Sequence, residues 1–462
     1  MSSAVRYVCR ECGHLSSKWL GRCPACEAWS SFGEQAAPAG GRRARGTPPL
    51  AVSWARLSER AEDDAPRFST GIEGLDRVLG GGVVPGGVTL LAGEPGIGKS
   101  TLLLQAAESL SRRGQRSVYV SAEESPRQIR LRAERMGCLG ANLAIAGETR
   151  LEEVLAGLAA EKASAAFVDS IQTLRAADLD SPAGSISQVR WAAERLVDHA
   201  KTSGTALFLV SHVTKDGAIA GPKSLEHLVD TVLSFEGDGK LAGTGELRLL
   251  RATKNRFGPT GEIALFAMHD NGLEPVAAPS RALLARRRSD VAGSAVAASL
   301  QGSRPLLVEI QSLVGATRVA SPRRTALGLD GSRLALLVAV LERYAGAALS
   351  ERDLFLNVVG GVDLSEPATD LSAAAAILSA LSERPLPKGA VFAGEIGLLG
   401  EVRPVGGLES RLREAAQHGF TQAFVASSPS LRDRAPLEII ELEHVGHLAA
   451  LLVGPRAPDR GR

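Results

Sequence analysis

The chain has 462 residues, of which 44% are hydrophobic and 23% are charged, which is enough for two or three domains with full apolar cores. Its net charge of +2 is too small to indicate a nucleic-acid-binding protein, so a DNA site would need a local basic surface. The sequence has no apolar run near the ~20 residues of a membrane span and no signal peptide at its start, so we expect a cytoplasmic protein with no membrane partner.

Four of the five cysteines lie in the first thirty residues, as two C-x-x-C pairs with ten residues between them. This spacing is typical of two zinc knuckles that each offer two thiolates to a tetrahedral Zn²⁺. Because four sulfurs complete the metal's shell, we interpret residues 1–34 as a structural zinc domain, with contact to DNA or a partner left open, and place His14 outside the shell. The predicted ligands are Cys9, Cys12, Cys23 and Cys26.

A segment rich in Ala, Gly, Pro and Arg follows over residues 35–66. This composition is typical of a flexible linker, and we interpret the basic cluster at 42–45 as a solvated tether. The next predicted domain covers residues 67–276. Its lone cysteine, Cys138, is predicted to be a small buried hydrophobe.

A phosphate-binding loop of the pattern G-x-x-x-x-G-K-S lies between an apolar run at 88–92 and a helical stretch. Glycines bring backbone N–H groups onto a polyphosphate, Lys99 reaches its β and γ phosphates, and the Ser100 hydroxyl can ligate Mg²⁺. A glycine-rich turn that matches by chance would not explain both flanking elements, so we expect a nucleoside triphosphate to bind here. The predicted nucleotide-binding residues are Gly93, Glu94, Pro95, Gly96, Ile97, Gly98, Lys99, Ser100 and Thr101.

Short apolar runs separated by helical patterns predict a parallel sheet with helices on both faces, and these runs cover residues 117–120, 165–168, 206–210 and 229–233. Asp169 ends one run, where a P-loop enzyme needs a carboxylate for Mg²⁺. The tip of another run carries Glu123 and Glu124, and either could orient and deprotonate the attacking water.

Several polar residues beyond the strand ends have two open interpretations. His212 either senses the γ-phosphate or is a structural hydrogen-bond donor. Arg190, Lys215 and Lys223 either contact DNA phosphates or form surface salt bridges, and these three cations stand in or beside Gly- and Ser-rich loops. Lys254 and Arg256 are two positions apart on an extended stretch, so both can face one anion.

With these motifs in this order, the sequence resembles the bacterial RadA/Sms family of DNA repair ATPases. The resemblance is carried by the four cysteines, the P-loop and residues 122–125, 168–170, 187–190 and 254–258, of which the last is the most specific. One departure is Ala122, where the family usually has Gly.

The resemblance implies a RecA-type motor that assembles as a homo-hexameric ring. It implies binding to single-stranded or branched DNA and promotion of branch migration alongside the RecA recombinase. It also implies that Lys254 and Arg256 reach the nucleotide of the neighbouring subunit, and it favours Glu123 over Glu124 as the residue that positions the water.

The C-terminal third, after a second predicted linker at 277–300, resembles the proteolytic domain of Lon-type proteases over residues 301–455, with a tail at 456–462. Ser372 falls at the family's nucleophile position, but the base position holds Arg411, whose guanidinium stays protonated. We therefore expect an inactive scaffold in which Asp370 is the N-cap of a helix. Candidates for a basic channel are Arg323, Arg324 and Arg333.

The predicted fold is α/β: a RecA-like P-loop ATPase core with an N-terminal four-cysteine zinc knuckle and a C-terminal α+β Lon-protease-like domain. The predicted function is a DNA-dependent ATPase, with Lys99, Glu123, Asp169, Lys254 and Arg256 as catalytic residues. Its predicted cofactors are ATP, Mg²⁺ held by Ser100 and Asp169, and Zn²⁺. The alternatives are an ATP-dependent Lon-like serine protease and a switch protein that binds ATP without hydrolysing it.

Overall fold

The computed structural model describes residues 6–9, 15–16, 18–24, 28–35, 66–212, 224–240, 246–319, 321–427 and 437–453. Within these ranges no helix is long and apolar enough to cross a membrane. The chain forms two compact units. The first comprises Met1–Phe235, Ala252–Thr260 and Asp270–Leu273, and the second comprises Glu236–Arg251, Gly261–His269 and Glu274–Arg462.

The N-terminal part of the first unit is a small antiparallel sheet. Its strands are β1 (Arg6–Cys9), β2 (Leu15–Ser16) and β3 (Phe32–Gln35), in the order β2-β1-β3. Cys9, Cys23 and Phe32 form its buried core, with Tyr7 and Leu20 packed against them. Two of the four predicted zinc ligands are therefore brought into one cluster, whereas Cys12 and Cys26 lie outside the described residues.

The ATPase part of the first unit is built on a parallel sheet whose strands run in the order β9-β4-β8-β7-β5-β6. These strands are β4 (Val88–Gly93), β5 (Ser117–Ser121), β6 (Leu143–Gly147), β7 (Ala165–Asp169), β8 (Ala206–His212) and β9 (Thr231–Lys240). Because the runs predicted as strands are apolar at nearly every position, they are buried on both faces, as a parallel sheet requires.

Helices connect these strands and bury their apolar faces against the sheet. They are α1 (Glu73–Val78), α2 (Lys99–Arg112), α3 (Pro126–Met136), α4 (Leu151–Glu161) and α5 (Ile186–Ser203). Leu196 and Val197 of α5 join Leu207 and Leu209 of β8 in one apolar core. The carboxyl ends of β4, β5, β7 and β8 all meet at the same edge, which is where the candidate site forms.

The second unit contains a mixed seven-stranded sheet in the order β15-β16-β14-β13-β17-β20-β21. Strands β10 (Glu246–Asn255) and β12 (Gly272–Pro275) continue from one unit into the other, and β11 (Ile263–His269) pairs with β10 in antiparallel register. The remaining strands are β13 (Ser294–Gln301), β14 (Arg304–Ala316), β15 (Arg324–Leu327), β16 (Arg352–Val358), β17 (Ala390–Ala393), β18 (Glu395–Ile396), β19 (Val402–Arg403), β20 (Gln422–Ala426) and β21 (Glu438–Leu442).

Five helices belong to this unit, counted over the described residues: α6 (Pro279–Leu284), α7 (Gly331–Tyr344), α8 (Asp370–Ser382), α9 (Leu408–Gln417) and α10 (Val445–Val453). The alanine-rich helix α8 is buried along most of its length. Small side chains allow it to lie close to β13 and β14, so its position is determined by packing in the core.

The structure differs from the linker predicted at 277–300. This segment contains α6 and most of β13, and β13 is a buried strand in the middle of the seven-stranded sheet. Its Ala- and Ser-rich sequence resembles a linker in composition, but small residues are also what a strand needs when helices pack on both its faces. The unit boundary also differs from the predicted division at 276, because residues 236–251 and 261–269 belong to the second unit.

Candidate nucleotide-binding site

The P-loop connects the end of β4 to the start of α2. Gly96 and Gly98 have φ values of +77° and +112°, which side chains other than glycine rarely tolerate. At Gly93 a β-carbon would lie 2.4 Å from the Phe235 carbonyl oxygen, so the loop leaves no room for one. The sequence pattern thus reflects the backbone path that turns N–H groups toward a phosphate at the start of the helix.

Lys99 is folded back over this loop. Its ammonium donates hydrogen bonds to the carbonyl oxygens of Gly93 and Glu94, both at 2.8 Å, and the side chain is only 3% exposed. Burial lowers the pKa of Lys99 to about 8, against the opposing effect of the Asp169 and Glu123 carboxylates. The positive charge needed at the phosphates is therefore held in place, and it is flanked by two acids.

The Glu123 carboxylate is positioned by residues from two other strand ends. It accepts a hydrogen bond from the Ser170 hydroxyl at 2.6 Å, and its Oε1 lies 3.3 Å from Nε2 of His212. Glu123 is also close enough to Lys99 to affect its pKa. This places a carboxylate beside the P-loop lysine, where a base for the attacking water is required.

The adjacent residue, Glu124, has a different environment. Its carboxylate forms an ion pair with Arg132 of α3 at 2.8 Å. Arg132 also donates to the Tyr119 hydroxyl at 3.3 Å. Since the charge of Glu124 is balanced by Arg132, the geometry favours Glu123 as the residue that faces the nucleotide.

Asp169 is held by a residue that the sequence analysis did not identify. The fully buried Tyr119 donates its hydroxyl to Oδ2 of Asp169 at 2.6 Å. Burial, followed by the charge of Asp169, raises the pKa of Tyr119 well above its ordinary value, so the phenol remains a donor. Asp169 is opposite Ser121 in the β5–β7 register, and Tyr119 lies two residues before Ser121 on the same face of β5. The bond therefore follows from strand register.

His212 is fixed at the end of β8 by Gln172, a second residue that was not predicted. The Gln172 amide donates to the Ser211 hydroxyl at 3.0 Å and to the carbonyl oxygen of His212 at 3.1 Å. The His212 backbone N–H donates in return to Gln172. Both interpretations of His212 remain compatible with this geometry, because the ring nitrogen bonded to Glu123 lies at the strand tip.

Lys254 and Arg256 contact a neighbouring segment of their own chain. The Lys254 ammonium donates to the carbonyl oxygens of Glu226 and Val229, and Arg256 forms an ion pair with Asp230 at 3.2 Å. Burial and the nearby Arg256 charge lower the pKa of Lys254. As their spacing predicts, the two cations lie on the same side of the strand end.

The intervening residues of this motif form its anchor. Asn255 accepts a hydrogen bond from Phe257 N–H at 2.9 Å and donates to the carbonyl oxygen of Val78 at 3.3 Å. A β-carbon on Gly258 would lie 2.8 Å from the α-carbon of Gly80, so a glycine is required there. The motif thus alternates anchoring residues with cations.

The predicted DNA-facing cations are only partly described. Arg190 forms an exposed ion pair with Glu194 at 3.0 Å, whereas Lys215 and Lys223 lie outside the described residues. Gln188, two residues earlier, is buried and braces the preceding loop by donating to the carbonyl oxygens of Leu179 and Ser181. The prediction of a surface salt bridge at Arg190 agrees with this geometry.

In the second unit, the position predicted for a protease base is occupied by a buried arginine that makes four hydrogen bonds. Arg411 is 2% exposed and binds both carboxylate oxygens of Glu366, at 2.7 and 2.6 Å. It also donates to the carbonyl oxygens of Ala298 and Gly406. This geometry gives Arg411 a structural role and leaves no base for Ser372 at that position.

Two further expectations for this region are corrected. The N-cap of α8 is Thr369, and Asp370 is instead its first residue, whose buried carboxylate binds Arg333 and accepts a hydrogen bond from Ile396 N–H. Arg333 is thus neutralised within the fold and is a poor candidate for a DNA channel. The buried Ser372 hydroxyl donates to the Thr369 carbonyl oxygen, as an early helix residue does.

Three family models match successive parts of the chain. The rubredoxin metal-binding domain model of the LapB zinc ribbon matches residues 7–34, the KaiC ATPase model matches residues 68–159, and the model of subunit ChlI of Mg-chelatase matches residues 339–428. The first two confirm the predicted zinc ribbon and RecA-like, ATP-binding core. The third is consistent with the predicted Lon-like C-terminal domain.

Three relatives named DNA repair protein RadA match nearly the whole chain. The relative from Pseudomonas aeruginosa is 48% identical over 92% of this chain and 93% of its own length. Those from Mycobacterium tuberculosis H37Rv and Escherichia coli K12 are 46% and 44% identical, over 92% and 91% of this chain and 88% and 92% of their own lengths. With its P-loop, its acidic strand tips and its zinc ribbon, the chain belongs to the RadA family of DNA repair ATPases.

Proposed function

We propose that this protein is a DNA-dependent ATPase that moves on single-stranded or branched DNA in recombinational repair and promotes branch migration together with the RecA recombinase. The observation that carries the ATPase part is the position of the Glu123 carboxylate, which is fixed by Ser170 and His212 close to Lys99. The DNA part is supported by membership of a DNA repair family.

Within the site, we assign binding to the P-loop and proton transfer to Glu123. The backbone of residues 93–98 and the Lys99 ammonium would hold the β and γ phosphates. Glu123 would accept a proton from the attacking water, while the Ser170 hydroxyl and His212 keep its carboxylate oriented. His212, at a strand tip beside the same carboxylate, would transmit the presence of the γ-phosphate to β8.

Ser100 and Asp169 would hold Mg²⁺, because hydroxyl and carboxylate oxygens are the ligands this ion prefers. Asp169 fits this role, since Tyr119 bonds Oδ2 and thereby fixes the carboxylate at the strand tip beside the P-loop lysine. When bound, the ion would neutralise charge on the phosphates.

For coupling to DNA, we propose a homo-hexameric ring in which Lys254 and Arg256 reach the nucleotide of the neighbouring subunit. The half-exposed Arg256 side chain and the position of both cations on one side of a strand end support this assignment. We propose an inactive scaffold role for the Lon-like domain, supported by the four hydrogen bonds that hold the buried Arg411 guanidinium.

ATP turnover with and without oligo(dT) tests the motor. We expect DNA to stimulate turnover, Lys99→Ala to abolish it, and the exposed Lys201→Ala, which removes the same charge at the end of α5, to leave it unchanged. No stimulation, together with full activity of Lys99→Ala, would contradict the proposal. Turnover too slow to measure even with DNA, despite tight ATP binding, would support the switch protein instead.

Two further experiments separate the remaining parts. Mixing Lys254→Ala subunits with Lys99→Ala subunits should restore some hydrolysis at mixed interfaces, and no recovery would count against action across the interface. Cleavage of an unfolded protein that Ser372→Ala abolishes would revive the protease alternative. Branch migration itself is tested on a labelled three-strand junction made by RecA. The junction should be extended only when this protein hydrolyses ATP.

A further inference from the structure

The tryptophans that the structure describes lie at the molecular surface. Trp19 and Trp29 in the zinc ribbon are 54% and 74% exposed, and Trp191, the third that the structure describes, is 37% exposed. Tryptophan is ordinarily a highly buried residue, and a domain as small as the ribbon has little other apolar area for its core. Leaving two indoles outside that core therefore points to a ligand.

Both indole rings are held in place although they are exposed. The Trp19 indole N–H donates to the carbonyl oxygen of Phe32 at 3.2 Å, and Phe32 is part of the ribbon core. Trp29 pairs with Arg22 across an isolated antiparallel bridge, and the Arg22 guanidinium lies 5.8 Å from the Trp29 ring centre. Rings fixed in this way can bind a flat partner with little loss of conformational freedom.

Two cations stand near these rings in the part of the ribbon that the structure describes, Lys18 beside Trp19 in the sequence and Arg22 over the Trp29 ring. Among the ribbon side chains that the structure describes, the charged ones are Lys18 and Arg22, and both are basic. Lys18 directly precedes Trp19 and is exposed, and its backbone is fixed by hydrogen bonds to and from Ser16. Each exposed ring thus has a cation beside it, which is the combination that stacks a nucleobase and neutralises the adjoining phosphate.

We propose that Trp19 and Trp29 form a base-stacking surface for single-stranded DNA, with Lys18 and Arg22 at its phosphates. This rests on the proposed function, from which it takes DNA as the ligand, and it assigns the zinc ribbon a direct contact with that ligand. A protein partner would also bind aromatic residues and arginine, but it gives no reason for a cation beside each ring. Such a surface would accept any base sequence, since every base has a flat face.

Binding of full-length protein to fluorescein-labelled oligo(dT), followed by anisotropy, tests this proposal. We expect Trp29→Ala to weaken binding by roughly 5- to 140-fold, the range found for loss of one base–aromatic stack. Trp29→Tyr should recover most of the affinity because a flat ring remains. The matched control is Leu139→Ala, which removes an apolar side chain that is 63% exposed from the ATPase part and should have no effect.

Two additional measurements make the result specific. Zinc content of one ion per chain shows that each variant ribbon is folded, and Trp29→Tyr keeps the test valid if Trp29→Ala loses its metal. An abasic oligonucleotide of the same length offers phosphates without bases, so wild type and Trp29→Ala should bind it equally. Lys18→Ala should instead weaken the binding of both oligonucleotides and lower the salt dependence of that binding.

Unchanged oligo(dT) affinity of zinc-loaded Trp19→Ala and Trp29→Ala would overturn the proposal. If those variants also fail to bind RecA, the surface is a protein-docking site. The proposed function fails by a separate result, the absence of DNA-stimulated ATP turnover in the wild type. A wild type that is stimulated normally, with variants that bind normally, would reject only the stacking surface.

Discussion

Asp230 binds Arg256 with one carboxylate oxygen while the other accepts the backbone N–H of Val88. These distances are 3.2 and 3.1 Å, and Asp230 is almost fully buried. Val88 begins β4, and β4 ends in the P-loop. A single carboxylate therefore connects Arg256, the cation that we propose for a neighbouring subunit's nucleotide, with the strand that carries the P-loop.

The first prediction concerns this connection. Asp230→Asn keeps an acceptor for Val88 but removes the charge that orients Arg256, so we expect about tenfold slower DNA-stimulated ATP turnover, or about 1.4 kcal/mol of barrier, with ATP affinity near wild type. Turnover and nucleotide titrations on the assembled protein measure the two effects. Glu73→Gln, which breaks the exposed Arg77–Glu73 ion pair, is the control and should change neither. Full turnover of Asp230→Asn would remove the role assigned to Asp230.

The second prediction distinguishes the two adjacent glutamates. Glu123→Gln removes the proposed base, so we expect a loss of about 10²- to 10⁴-fold in the hydrolysis step with ATP still bound. Glu124→Gln loses an ion pair with Arg132 and should slow the step less than tenfold. Single-turnover hydrolysis of radiolabelled ATP measures both. A larger loss for Glu124→Gln would transfer the role of base to that residue.

The third prediction follows from the pKa of Lys99. Burial lowers it to about 8, whereas the unfolded lysine has the ordinary value of 10.5. Between these values the unfolded chain holds the proton that the folded site has lost, so this group's contribution to stability rises with pH from about 8 to 10.5. Bound phosphates favour the protonated amine, so ATP binding above pH 8 should take up about one proton and weaken up to about tenfold per pH unit.

Calorimetry at pH 9 in two buffers of different ionisation enthalpy measures this uptake. Lys99→Arg is the control, because its guanidinium stays protonated at this pH and should take up no proton at that position. Equal uptake by the two proteins would show that another group supplies the effect. No uptake by the wild type would show that the Lys99 ammonium is already fully charged at pH 9.

Strand order decides which site residues could be predicted from the sequence. The P-loop, Asp169 and the two glutamates were predictable because each lies at or just beyond the end of an apolar run, and parallel strands end at one edge. Tyr119 was not, since it lies within such a run and its bond to Asp169 depends on which strands are neighbours. Asp230 was missed for the same reason, being 142 residues from its partner Val88.

The prediction of a linker at 277–300 was wrong for a different reason. Composition does not separate an exposed Ala- and Ser-rich segment from a strand on which helices pack closely. Ala295 and Ala297 of β13 are fully buried in one core, and Val296 and Ala298 are buried in another on the opposite face. Small residues at both faces indicate close packing only once the neighbouring helix α8 is known.

The fourth prediction tests the structural role of Arg411. Arg411→Ala removes the charged partner of the Glu366 carboxylate and the donor to two backbone carbonyls, so we expect the free energy of unfolding of the second unit to fall by roughly 3–5 kcal/mol. Arg413→Ala, two residues away on the same helix, breaks an exposed ion pair with Glu409 and should lower it by about 1 kcal/mol or less. Urea unfolding followed by circular dichroism compares the two variants. Equal and small effects would mean that Arg411 is not required to hold this domain together, and Arg411→Lys would then be the variant in which to look for peptide cleavage, because a buried lysine can lose its proton where arginine cannot.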